Sequence, residues 1–219
     1  MLFSREGILS LLISIPGLLL AITFHEFAHG YAAYLMGDRT AKFDGRLSLN
    51  PLRHLDPVGA LCMLIFRFGW AKPVPINPYN FKKQRLGVVT VSLAGPFANF
   101  ILGLISYIVC VCMEVFIPSA NINEALIFVY NIFYASIYMN AGLMIFNLIP
   151  IPPLDGSKVL MEFLPYRAKY KMYQYERYFG IILLLVVYLG TLTPILSTLQ
   201  GYVLSLYEFV SLKLVMLFI

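Results

Sequence analysis

Four long apolar stretches govern what this chain can fold into. They run from about Ile8 to Met36, Leu86 to Ile117, Ala125 to Ile149 and Tyr178 to Ile219. About 20 apolar residues in a helix cross the hydrocarbon core of a bilayer, so each stretch is long enough to span. Hydrophobic residues make up 60% of the 219 and charged residues only 12%, against about half and a quarter in a soluble domain. A soluble fold of this length has no interior large enough for that apolar surface, so the lipid bilayer must solvate much of it. The fold class that follows is an all-α polytopic membrane protein. The last stretch is about twice one span and is interrupted by Gly190 and Pro194. It reads as two helices joined by a tight turn, giving five spans, with one span plus an interfacial helix as the alternative.

The segment between the first two spans behaves differently. Val58–Phe66 is apolar but too short to cross, and Gly69–Phe81 carries Pro73, Pro75 and Pro78. This pattern predicts a re-entrant proline-rich loop of β character over about 57–81. Non-helical backbone at membrane depth must be buried by protein or line a wet cavity, so the loop is expected against the bundle. The first stretch is longer than a signal-peptide core and contains His and Glu, so it is expected to remain in the mature chain.

The net charge of +5 comes from 16 basic and 11 acidic residues. The basic residues fall in loops beside apolar runs, which reads as a topology signal and not as a nucleic-acid surface. The loops over 37–85 and 158–177 are rich in Lys and Arg, whereas Pro118–Glu124 has none. Positive-inside then puts the first two in the cytoplasm, the third outside and the N-terminus outside. Cys62, Cys110 and Cys112 form no even framework and read as apolar filler.

The first span contains His25-Glu26-Phe27-Ala28-His29. Residues i and i+4 of a helix share a face about 6 Å apart, so both imidazoles can bind one ion. Glu26, one residue along, can act as general base on a water at that ion. Three ionisable groups within five residues of a membrane helix are expensive unless they have a job. A catalytic zinc takes three protein ligands and an open position, and the third span supplies the missing one. Its end reads Asn147-Leu148-Ile149-Pro150-Ile151-Pro152-Pro153-Leu154-Asp155-Gly156. The prolines end the helix, and Asp155 is expected on a rigid, extended stub. The charge-derived topology places both motifs near the cytoplasmic side, although neither was located by it.

These residues resemble the site-2 protease family of intramembrane zinc metalloproteases, in its short bacterial-type form. The likeness rests on H-E-x-x-H and N-x-x-P-x-P-x-L-D-G, supported by Gly95-Pro96-Phe97-Ala98-Asn99, by Leu49–Pro51 and His54–Gly59, and by Gly69–Pro75. It covers most of residues 20–160 and only loosely those beyond about 165. The resemblance implies one Zn2+ held by His25, His29 and Asp155, with Glu26 as catalytic base, and a proline-rich loop that helps admit substrate. It divides the chain into a catalytic membrane core, 1–165, with spans at about 8–36, 86–117 and 125–149, and C-terminal transmembrane segments, 166–219. The implied substrates are single-span membrane proteins cut within or near their transmembrane segments at a bacterial cell membrane. No nucleic acid is expected as a partner, and regulation through PDZ or CBS domains is not expected.

The supporting residues carry paired readings. Asn99 donates to substrate backbone or oxyanion, or joins helices near Gly95. Asn147 orients the ligand loop, or caps the broken helix. Trp70, Pro73 and Pro75 belong to a candidate strand edge for an unwound substrate. His54 and Asp56 more often pin a turn than bind metal; Glu114 reaches the membrane interface, and Asn140 receives no role. Two rival classes stand beside the protease. A metal transporter would have no need of Glu26 beside the ligands, and a catalytically silent scaffold would have no need of a complete ligand set.

Overall fold

The structure is a computed structural model and describes residues 5–59, 62, 71–118 and 121–216. Among them the regular elements are helical, and four helices are long and apolar enough to cross a membrane: Leu12–Met36, Gln84–Phe116, Glu124–Leu148 and Thr193–Val215. In chain order the elements are α1 (Arg5–Met36), α2 (Thr40–Phe43), α3 (Gln84–Phe116), α4 (Glu124–Leu148), α5 (Asp155–Met161), α6 (Tyr166–Tyr188) and α7 (Thr193–Val215), with short 3-10 turns at Pro51–Arg53 and Pro78–Asn80.

Five spans were expected, and four helices qualify. The run after Tyr178 does break at Gly190, which adopts φ +69°, and α7 opens with Pro194 in its first turn, where a missing N–H is harmless. However, α6 begins twelve residues before Tyr178 and includes Arg167, Lys169, Lys171, Glu176 and Arg177. Those charges dilute its apolar end.

The chain forms two compact units, 1–21 with 99–145 and 193–219, and 22–98 with 146–192. In the first, Cys110, Ile137, Ala141 and Tyr207 form the core. Gly103 makes room for Tyr207: a Cβ there would lie 2.6 Å from the Tyr207 hydroxyl, which donates to the Phe100 carbonyl at 2.9 Å. A buried polar chain also joins helices in this unit. Asn99 donates to Ala21 O (3.1 Å) and Asn140 Oδ1 (2.9 Å), Asn140 donates to Ser136 O (2.9 Å), and Ser106 Oγ donates to Ser136 Oγ (3.1 Å). In apolar surroundings such groups must satisfy one another. Asn140, given no role from sequence, is therefore a joint. Cys62, Cys110 and Cys112 are free thiols.

In the second unit, Ala32, Ala33, Phe81 and Val91 form the core. Helix α1 ends at Gly37, whose φ of +112° only glycine adopts without strain, and Asp38 N–H closes the end on Ala33 O. The buried Asp38 carboxylate then gathers the following loops. It accepts from Thr40 N–H (3.1 Å), Thr40 Oγ1 (2.5 Å), Asn77 N–H (2.7 Å) and Asn80 Nδ2 (2.8 Å).

The expected β character of 57–81 is reduced, among the described residues, to one antiparallel bridge between Leu55 and Ala71; residues 60, 61 and 63–70 lie outside the description. From Lys72 to Asn77 the chain forms no regular element; Lys72 N–H donates to His54 O at 2.9 Å, and side chains supply further partners. The buried Arg46 donates through Nη2 to Lys72 O (2.6 Å) and Pro73 O (3.2 Å). His54 Nε2 donates to Ser48 O at 2.7 Å, and Asp56 accepts from Gly59 N–H. Both residues pin turns.

Burial pushes the Asp38 pKa up, but the donors on Thr40, Asn77 and Asn80 outweigh it and hold the carboxyl below the usual carboxylate range. A carboxyl with a lowered folded pKa stabilises the protein above its unfolded pKa, and that contribution is lost as pH falls through the folded one. Asp38→Asn is therefore expected to cost about 1–3 kcal/mol at pH 7. In paired thermal melts, the gap from wild type should shrink as pH drops below about 4; a gap independent of pH would show that the charge is not what anchors these loops.

Candidate metal centre

His25 and His29 lie one turn apart on α1, both buried at 8% and 7% exposure. Their Nε2 atoms are 3.0 Å apart. Asp155 Oδ2 stands 3.2 Å from His25 Nε2 and 3.0 Å from His29 Nε2. The carboxylate comes from the other side of the sequence, and the three form the group of potential metal ligands among the described residues.

The chemistry of this triangle can be read from its tautomers. His29 Nδ1 lies 2.7 Å from Val91 O, an acceptor only, so Nδ1 carries a proton and donates it there. In the neutral ring Nε2 then presents a lone pair to the carboxylate oxygen at 3.0 Å. A cation between these two atoms, a metal ion or a proton on Nε2, balances them. A point about 2 Å from all three atoms lies just off their plane, which is the bond length zinc makes to imidazole and carboxylate. The residues therefore fit a divalent metal, and the carbonyl behind His29 orients the ring as outer partners of metal-bound imidazoles do.

Two glycines let the elements come this near. A Cβ on Gly95 would lie 2.4 Å from His29 Nε2 and 2.6 Å from His25 Cε1, so only glycine lets α3 lie against the imidazole pair. A Cβ on Gly156 would lie 2.2 Å from Leu148 O, so glycine after Asp155 lets α5 start directly against the end of α4. Asp155 is thus the first residue of a short helix and not part of an extended stub: the prolines end α4, Leu154 alone is extended, and the chain coils again at once.

Glu26, half-buried on α1, accepts from Val74 N–H through Oε2 at 2.8 Å. The 72–77 chain is thereby fastened to the residue beside the metal ligands. His25, Glu26, His29 and Asp155 open onto a cavity of about 790 Å3 that is also lined by Pro73, Val74, Asn147 and Lys158. The polar half of α6 forms another wall, through Tyr166, Lys169, Tyr170 and Tyr173, and Lys169 pairs with Glu162 at the end of α5. This accounts for a helix that is apolar at one end only.

Of the remaining sequence candidates, Pro73 and Asn147 line the cavity, Pro75 is half-buried beside Val74, and Trp70 lies outside the described residues. Asn99 donates both amide hydrogens within the first unit. Val91, Gly95, Val74 and Lys158 were not singled out individually from sequence for the parts they play. Two of them act through backbone, which leaves no side-chain signature, whereas Lys158 carries a signal, one helical turn after Asp155.

The family model for Peptidase family M50 matches residues 13–189. Two bacterial relatives are each named "Putative zinc metalloprotease". YwhC of Bacillus subtilis is 41% identical over 198 residues, covering 87% of this chain and 89% of that protein. Rip2 of Mycolicibacterium smegmatis is 28% identical over 156 residues, covering 67% of this chain and 55% of that one. "Zinc metalloprotease MJ0392" of Methanocaldococcus jannaschii is 26% identical over 153 residues, covering 70% and 34%. No solved structure matches the chain significantly.

The contact at Gly95 sets a strict test of this geometry. Gly95→Ala should push both imidazoles out of register and abolish metal retention, measured as metal content per chain after purification, with helix content unchanged. Full metal loading of that variant would mean the close approach is not needed.

Proposed function

We propose that this chain, which belongs to peptidase family M50 and is an intramembrane zinc metalloprotease, cleaves single-span membrane proteins within or near their transmembrane segments. His25, His29 and Asp155 hold the one zinc ion and Glu26 is the catalytic base. The observation that carries this assignment is the triangle of Nε2, Nε2 and Oδ2 atoms with edges of 3.0–3.2 Å.

A zinc ion held by His25, His29 and Asp155 would supply Lewis-acid chemistry, polarising the scissile carbonyl and acidifying the attacking water. Glu26 takes the proton from that water and delivers it to the leaving amine. The Val74 N–H on Oε2 fixes the carboxylate and leaves Oε1 to handle the proton. A helix cannot be cut as it stands, because its carbonyls are bonded and shielded, so the substrate unwinds. We assign the Trp70–Ile76 segment as the edge against which it lies extended. Pro73 and Pro75 lack N–H groups, so this edge offers mainly carbonyls. Asn147 orients the ligand loop, and Asn99, with its amide hydrogens already donated, plays a supporting part.

We place the three-helix catalytic core within 1–165, the proline-rich loop as its re-entrant element, and 166–219 as the C-terminal segment. The active site faces the cytoplasm and the N-terminus lies outside, in a bacterial cell membrane, as the positions of the basic loops support.

Co-expression with candidate single-span proteins tests the assignment. Glu26→Gln should retain zinc and the Val74 contact while losing about 10²–10⁴-fold in cleavage, scored by mass of truncated products. Full cleavage by that variant would remove Glu26 from the mechanism, whereas zinc binding with no cleavage by the wild type would favour the transporter reading. Bulky charged residues in place of Pro73 and Pro75 should block cleavage, and unchanged cleavage would end the edge assignment.

A further inference from the structure

We propose that Lys158 is a positioning residue that keeps Asp155 a one-oxygen ligand of the metal; this rests on the reading that His25, His29 and Asp155 hold zinc. The two carboxylate oxygens of Asp155 have different partners. Oδ2 faces both imidazole nitrogens, at 3.2 and 3.0 Å, while Oδ1 receives Lys158 Nζ at 3.1 Å.

The division matters because a carboxylate can offer a cation one oxygen or two. A catalytic zinc site needs three protein ligands and a position left for water. If Oδ1 joined Oδ2 on the ion, it would take up that position. An ammonium on Oδ1 draws its lone pairs away and turns the carboxylate so that Oδ2 alone points at the histidines.

Local structure makes the arrangement possible. Asp155 begins α5, so Lys158 stands at i+3 on the same face. The pair is asymmetric: the Lys158 side chain is 47% exposed and the Asp155 side chain 7%. Ion pairs with an exposed partner contribute little to folding. The contact therefore bears on how the buried carboxylate is aimed, which is the role of outer partners at metal sites. Lys158 also lines the cavity into which Glu26 opens.

The test uses the purified full chain with Zn2+ and with Co2+ as a spectroscopic substitute. Lys158→Met keeps the bulk of the side chain and removes the charge, Lys158→Gln keeps a single polar donor, Lys158→Arg keeps the charge, and Asp155→Ala marks loss of the site. Zinc affinity is read by competition with a chromogenic chelator. Lys158→Met removes a cation beside the site and frees Oδ1, so it is expected to bind zinc about 10-fold more tightly, with Lys158→Gln between it and wild type and Lys158→Arg close to wild type. The visible cobalt bands of Lys158→Met should lose intensity as Oδ1 joins the ion and coordination rises above four. Metal-free Lys158→Met should melt with wild type; if it does not fold, the Lys158→Gln and Lys158→Arg pair decides.

Equal zinc affinity and an unchanged cobalt spectrum in Lys158→Met and Lys158→Gln would overturn the proposal while leaving the zinc site intact. A wild-type chain that binds zinc no better than Asp155→Ala would overturn the zinc site itself, and the proposal with it.

Discussion

Two imidazole nitrogens and a carboxylate oxygen held within about one hydrogen-bond length of each other are the constraint from which this protein's local architecture follows. With the two nitrogens as lone pairs the three atoms repel, and burial removes the water that would screen them. Holding them together requires elements that cannot relax apart. Helix α1 fixes two by its own repeat. The Val91 carbonyl orients the His29 ring, and Gly156 fixes where α5 starts, so that Asp155 arrives from 126 residues away in the chain. The donor set and its spacing fit a divalent cation at the centre.

The same need to satisfy polar groups in apolar surroundings organises the rest. In the first unit, asparagines and serines complete one another across helices. In the second, the chain from Lys72 to Asn77 forms no regular element. Lys72 N–H pairs with the His54 carbonyl, Arg46 and Glu26 supply further partners, and Asp38 holds the turn that follows. A segment held largely by side chains can stay close to Glu26 without a second strand occupying the space beside it.

The metal centre was legible in the sequence because its signals are local. His25 and His29 declare their relation by helical spacing alone, and the proline run before Asp155 marks where a helix must stop. What was not legible depends on tertiary context. The span count came out one too high because the apolar end of α6 was read without its polar beginning, whose tyrosines and lysine face the cavity. The extended stub was expected because three prolines forbid a helix, but nothing local says that coiling resumes at the next residue. That one difference also hid Lys158, since an i+3 relation exists only once Asp155 is helical. The β character expected of the proline-rich loop is reduced, among the described residues, to the Leu55–Ala71 bridge, because several of its partners are side chains that no strand pattern reveals.

Gly95 has one further implication, for inhibition. Bare backbone lies against both imidazole edges there, and main-chain atoms cannot be cleared by a rotamer change. A chelator aimed at the histidine pair would therefore have to come from the side on which the cavity opens, and its bulk would have to fit that cavity.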